Sequence, residues 1–233
     1  MSLSTKAFGK RLSLLAALVA ALVVACAGVV GAQQVSHSSS AADEVSVAAN
    51  VSNGDFESGD FSGWQRANKR PSDSEGNWFV YSGTQTPLGS FITAPPQGDF
   101  AATTDQNDPG SHVLYRNIKL EEGMNHTLSF YLYYVNEWRD FITPNTLSFA
   151  DEDNQQYRVD LMKPKSKPFS MKNDAIKENL FRTEVGDPDT LEPTLMVFDL
   201  TPYAGKTVRL RFAEVDNQGN FLASVDDVKV SSE

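Results

Sequence analysis

From Val51 to the C-terminus, short apolar runs alternate with clusters of Gly, Pro, Asn and Asp, and aromatic residues recur every few positions. This texture predicts strands joined by turns. The clearest runs lie at 77–81, 113–118, 127–135, 157–161, 194–200, 207–212 and 225–230. Within 207–212, Val208, Leu210 and Phe212 share one face, and Thr207, Arg209 and Arg211 share the other. Such alternation marks a half-buried antiparallel strand. Within 127–135, Phe130, Leu132 and Tyr134 oppose Tyr131 and Tyr133; one set belongs to the core and the other faces out.

One segment departs from this pattern. Residues 163–193 contain four prolines and the run 173–181, in which Ile176 and Leu180 form an i,i+4 apolar pair behind the capping residues Asn173 and Asp174. This predicts a long insertion carrying one short helix. No internal repeat is visible. The expected architecture is one all-β domain over 51–233, an antiparallel β-sandwich with that single helix.

The N-terminus has a different character. Lys6, Lys10 and Arg11 precede residues 12–30, which are apolar except for Ser13, and small residues follow up to Ala32. Residues 1–32 read as a secretory signal or a membrane anchor. Cys26, after Val23-Val24-Ala25, is either a lipidation site or a small apolar residue of this segment. Residues 33–50, rich in Ser, Ala and Val, read as a linker. The net charge is −10, and the first 32 residues carry only positive charge, so the remainder is more acidic still. That balance argues against a nucleic-acid partner and against a membrane partner other than through the N-terminal segment. A secreted or cell-surface monomer is expected.

Carboxylates mark both ends of the domain. Asn53-Gly54-Asp55-Phe56-Glu57 opens it, and Asp226-Asp227-Val228 lies in the last strand. If Val228 and Val230 are in the core, parity turns Asp226 inward. A buried carboxylate needs a partner, either hydrogen bonds or a cation such as calcium, which takes carboxylate and carbonyl oxygens. The Asp55 turn would contribute to the latter.

These motifs, together with Gly63-Trp64, Gly123 before Thr127-Leu128-Ser129-Phe130, and the run from Asp199 to Phe212, resemble carbohydrate-binding modules of the galactose-binding-like jelly-roll superfamily. The resemblance covers residues 51–232 and implies a jelly roll. It also implies a structural calcium held by Glu57 and Asp226. The ligand would be a glycan or a cell-surface component. A surface adhesion or protein-interaction domain of the same fold, without a sugar site, is the alternative.

Sugar rings stack on aromatic platforms. By parity the candidates are Tyr131, Tyr133 and Trp138, with Asn136 and Asp140 as hydrogen-bonding neighbours. The acidic turn 216–220 reads as an ordinary turn, with a loop end near a ligand as the alternative. There is no H-E-x-x-H pair, nucleophile elbow or phosphate loop. No catalytic residue is expected.

Overall fold

The computed structural model describes residues 47–49 and 51–233. The segment 1–32 with Cys26, and residues 33–46 and 50, lie outside the described residues. The described chain is an antiparallel β-sandwich of the jelly-roll type. Its strands are β1 (Val47–Ala49), β2 (Gln65–Lys69), β3 (Gly76–Tyr81), β4 (Ala101–Gln106), β5 (Gly110–Lys119), β6 (His126–Asn136), β7 (Gln155–Met162), β8 (Ile176–Arg182), β9 (Thr190–Asp199), β10 (Thr207–Asp216) and β11 (Phe221–Ser232). One sheet runs β3-β4-β11-β6-β9, with β1 also on β11; the other runs β2-β5-β10-β7-β8. Strand β1 falls inside the stretch expected as a linker, where its backbone pairs with residues 230–232.

The core lies between the sheets. It takes Phe130, Leu132 and Tyr134 from β6, Val208, Leu210 and Phe212 from β10, and Trp78 from β3. The ring of Phe212 meets Phe130 edge to face at 5.2 Å and lies 6.5 Å from Trp78. Each fully buried large apolar side chain contributes about 1.5–3 kcal/mol, so this set holds the layers together.

The expected helix is absent. Residues 176–182 form β8, the edge strand beside β7. Register shifts at Val159/Asp160 and Leu161/Met162 absorb the helical spacing of Ile176 and Leu180. Asn179 ties β8 down, its amide donating to Asp160 Oδ1 at 3.0 Å and to the Val159 carbonyl at 3.1 Å. Tertiary pairing overrides a weak local propensity. Among the described residues the only helical turn is a 3-10 turn at Thr201–Tyr203.

The outer face of the second sheet carries an ionic cluster. Arg158 and Arg211 both bind Asp160, at 2.7 Å and 2.6 Å. Arg211 also donates to the carbonyls of Pro168 and Ser170, and Arg209 to those of Pro164 and Ser166. The proline-rich part of the insertion is therefore fastened to the sheet by the outward-facing arginines of β10.

Candidate functional site

The two acidic ends do meet. The Val228 amide donates to the Gly54 carbonyl at 2.8 Å. A Cβ at residue 54 would stand 2.0 Å from the Val228 carbonyl oxygen, so only glycine permits this approach. Glu57 Oε1 accepts the amides of Asp99 (3.0 Å) and Phe100 (2.9 Å). Asp226 Oδ2 accepts the Gln97 amide at 3.1 Å, two residues earlier on the same loop. Asp55 accepts the Glu57 amide within its own turn at 3.4 Å.

Parity did not place Asp226 correctly. It pairs with Tyr131, across from the core-facing Phe130 and Leu132, and therefore lies on the outer face of the first sheet. A bulge between Asp226 and Lys229, with Asp227 at φ +52°, restores Val228 and Val230 to the core. Asp226 is nonetheless fully buried. Burial pushes its carboxyl up to about 7, with the neighbouring Asp227 and Glu57 charges adding to the effect and two backbone amides opposing it.

The aromatic candidates separate. Tyr133 is 1% exposed; its hydroxyl bonds that of Tyr81 at 2.6 Å, beneath a cover that includes Ile92. Its ring is core, and no sugar can stack on it. Tyr131 is half-buried on the same outer face, opposite Leu195. Asn136 is buried and fully engaged: its Oδ1 accepts from the Trp138 amide (3.1 Å) and Gln155 Nε2 (2.8 Å), and its Nδ2 donates to the Asp140 carbonyl. The Asp140 carboxylate accepts the Gly186 and Phe141 amides, which hold it below the usual carboxylate range. Asn136 and Asp140 thus shape the loop that carries Trp138. That tryptophan is half-buried and packs on Gly219, where an added Cβ would meet it at 3.3 Å.

Gly219 belongs to a pocket of about 300 Å³ at one end of the sandwich, lined by the β4–β5 turn (106–109) and the β10–β11 turn (216–220). The sequence marks 216–220 as an ordinary turn or a loop end near a ligand, and does not single out 106–109. Seven of the pocket's nine lining residues carry amide or carboxylate side chains. Gln106, 7% exposed, and Asn220 each leave one buried amide atom without a partner there. His112 lies against this lining and is fully buried, and burial with the nearby Arg70 charge lowers it to about 3. Its two ring nitrogens face the amide oxygens of Gln106 and Asn68. A neutral imidazole donates from only one nitrogen, so one of these amides presents its NH2 instead. Either way, one Gln106 atom stays orphaned. Added Cβ atoms at Gly76 and Gly110 would meet Gln106 and His112 at 2.6–3.2 Å, so glycines make room for this arrangement.

Asp216 and Glu214 continue inward from the pocket on the core-facing side of β10. Asp216 accepts backbone hydrogen bonds from Gly110 and Phe221, yet burial still raises its carboxyl well above the usual range. Glu214 is completely buried and neither of its oxygens has a partner. Burial, then the Asp216 charge, raises it well above the usual range.

No family model matches the chain, and no curated protein matches it. Solved structures do align over most of its length. The carbohydrate-binding module TmCBM61 in complex with β-1,4-galactotriose aligns at 12% identity and TM-score 0.46, covering 79% of this chain and 99% of that one. The K3 adhesin domain of Lys-gingipain from Porphyromonas gingivalis aligns at 16% identity and TM-score 0.47, covering 79% and 98%. A Stig cyclase from Fischerella sp. TAU aligns at 16% identity and TM-score 0.44, covering 81% and 98%. Among the described residues no helix is long and apolar enough to cross a membrane.

Proposed function

We propose that this protein is a secreted, non-catalytic binding module that takes carbohydrate in the loop-end pocket. The observation that carries this reading is the pocket itself, a concave site at a loop end in which seven of nine lining residues carry amide or carboxylate side chains. Between them, such side chains both donate to and accept from sugar hydroxyls. Trp138 at the rim supplies an apolar face for a ring. The volume lies at the low end of small-molecule sites, roughly 300–1,000 Å³, and suits one or two sugar rings. Retention on immobilised polysaccharides tests this. Retention that falls at least tenfold in Trp138→Ala and Asn220→Ala supports it; no retention on any glycan overturns it. A protein-interaction domain is the second reading, favoured by Phe91 (77% exposed) beside Leu88 on the outer hairpin. No retention on any polysaccharide, with capture of a cell-surface protein that is lost in Phe91→Ser but kept in Trp138→Ala, favours that reading.

A structural calcium belongs to the same proposal. Glu57 and Asp226 supply hard carboxylate oxygens to one loop, and Asp226 is a buried acid beside like charges, which suits a divalent ion held by oxygen ligands. Glu57 and Asp226 would hold it. Calcium would supply the missing counter-charge and clamp the opening turn to the last strand. Calcium at a hundredfold excess over its Kd should raise the melting temperature by roughly 5–10 °C, and a chelator should reverse this. A midpoint unchanged by both additions would count against the site.

A further inference from the structure

The chain is acidic, yet its insertion begins with a purely basic run. Residues 163–172 contain four lysines, and no Asp or Glu falls between Asp160 and Asp174. The structure sorts this run with a period of two. Lys163, Lys165 and Lys167 are exposed, and Pro164, Ser166 and Pro168 between and after them are half-buried. The carbonyls of Pro164 and Ser166 accept from Arg209, and those of Pro168 and Ser170 accept from Arg211. The sheet thus draws the intervening carbonyls inward and leaves the lysines outside. Arg209 and Arg211 are 8% and 0% exposed, so the backbone beneath the lysines is fixed before any ligand arrives. A row ordered in advance loses little conformational freedom on binding.

The row is closely spaced and unneutralised. Successive lysine Cα atoms, two residues apart, are separated by at most about 7 Å. No ion pair among the described residues involves these lysines. The row also has a direction. Arg209 pairs with Asn117 and Arg211 with Tyr115, so the loop advances along β10 toward the 216–220 turn. Phe169 then lies beneath Lys69, whose ammonium stands 4.7 Å from the ring centre. Lys69 pairs with Ser111, next to the Gly110–Asp216 pair at the pocket end of the sheet. Lys163, Lys165, Lys167 and Lys69 therefore form a positive track over the outer face of the second sheet.

The surroundings of the track narrow its partner. A lipid surface is bound through apolar side chains free to enter it, but Phe169 and Met171 pack against Val113, Leu147, Ala213 and Val215. Single-stranded nucleic acid stacks its bases on open aromatic faces, but Phe169 carries Lys69 on its ring and Tyr115 carries Arg209. A chain of sugar rings with an anionic group on each needs neither feature. It needs cations at short, fixed intervals.

We propose that the 163–167 lysine row, with Lys69, binds an acidic polysaccharide that bears carboxylates on successive rings. This rests on the carbohydrate reading for the polymer and on the lysine row for its charge.

Calorimetric titration tests it with three probes: polygalacturonate, its methyl ester and phosphatidylglycerol vesicles. Polygalacturonate should bind at least tenfold more tightly than the uncharged ester at about 0.1 M salt. The preference should fade toward about 1 M, as the screening length shrinks from roughly 10 Å to roughly 3 Å. Replacing Lys163, Lys165 and Lys167 together by Gln should remove the preference. Replacing Lys177, Lys206 and Lys229 by Gln changes the net charge equally off the row and should keep it. Equal binding of polymer and ester, unmoved by the first replacement, overturns the track and leaves the carbohydrate reading standing. A preference lost equally in both triple variants assigns it to net charge and also overturns the track. Polygalacturonate binding that needs the row but not Trp138 supports the track and counts against the pocket. Vesicle binding that needs the row, without polymer binding, overturns the track in favour of a lipid surface. No binding of any probe overturns the track. All the replaced lysines are exposed, and an unchanged melting midpoint confirms that loss of binding is not loss of fold.

Discussion

Asp160 and Glu214 are both fully buried carboxylates of the same sheet, on adjacent strands. They face opposite ways and meet opposite surroundings. Asp160, on the outer face, has two guanidiniums and the Asn179 amide. Burial alone would raise its carboxyl; the Arg158 hydrogen bond and the charges of Arg211 and Arg158 outweigh this and hold it below the usual range. Glu214, on the inner face, has no partner, and burial pushes it up without opposition. A buried charge with every position filled belongs to the architecture, here the anchor of the insertion. A buried carboxyl with neither oxygen partnered holds its proton more tightly instead.

Substitution should separate the two. Asp160→Asn leaves two buried or nearly buried guanidiniums without their anion, and should cost about 3–5 kcal/mol, read from urea unfolding. A loss under 1 kcal/mol would mean that the cluster does not hold the insertion. Glu214→Gln removes an uncompensated acid. It should leave stability unchanged or raise it by about 1 kcal/mol. A large loss of stability there would assign Glu214 to the architecture after all.

The pH dependence should also divide. Asp160 is lowered in the fold, so its contribution is fully present above its unfolded pKa and fades as pH falls through the folded value. Glu214 is raised, so the folded form keeps a proton that the unfolded chain has released. Its contribution falls as pH climbs above the ordinary carboxyl range, roughly pH 4–5, toward the raised folded value. Denaturant unfolding from pH 3 to 8 should show a shallower acid limb in Asp160→Asn and a shallower neutral limb in Glu214→Gln. Unchanged limbs would contradict the paired and unpaired assignments.

Much of the architecture was legible because large apolar residues alternate with polar ones in β6 and β10. Strand β4 was not, since Ala101-Ala102-Thr103-Thr104-Asp105-Gln106 is wholly buried yet built from small and polar residues. Strand β8 carried a helical spacing that pairing with β7 overrode. Asp226 was placed on the wrong face because a bulge is invisible to parity. The loop-end site did leave a trace. Val208, Leu210 and Phe212 establish a core-facing parity that Glu214 and Asp216 continue. Charged residues that extend an apolar parity signal a core face turning into a site. The alternation in 207–212 was followed to Phe212 and no further. The aromatic run of β6 drew attention to a face where Tyr133 proved to be buried.

The most direct test of the loop-end site is an amide-resolved nuclear magnetic resonance titration of the protein with cellotriose and β-1,4-galactotriose. The account predicts shift changes concentrated at 106–110, at Trp138 and at 216–220. Shift changes centred on Tyr131 and the outer face, with the two turns unmoved, would contradict it.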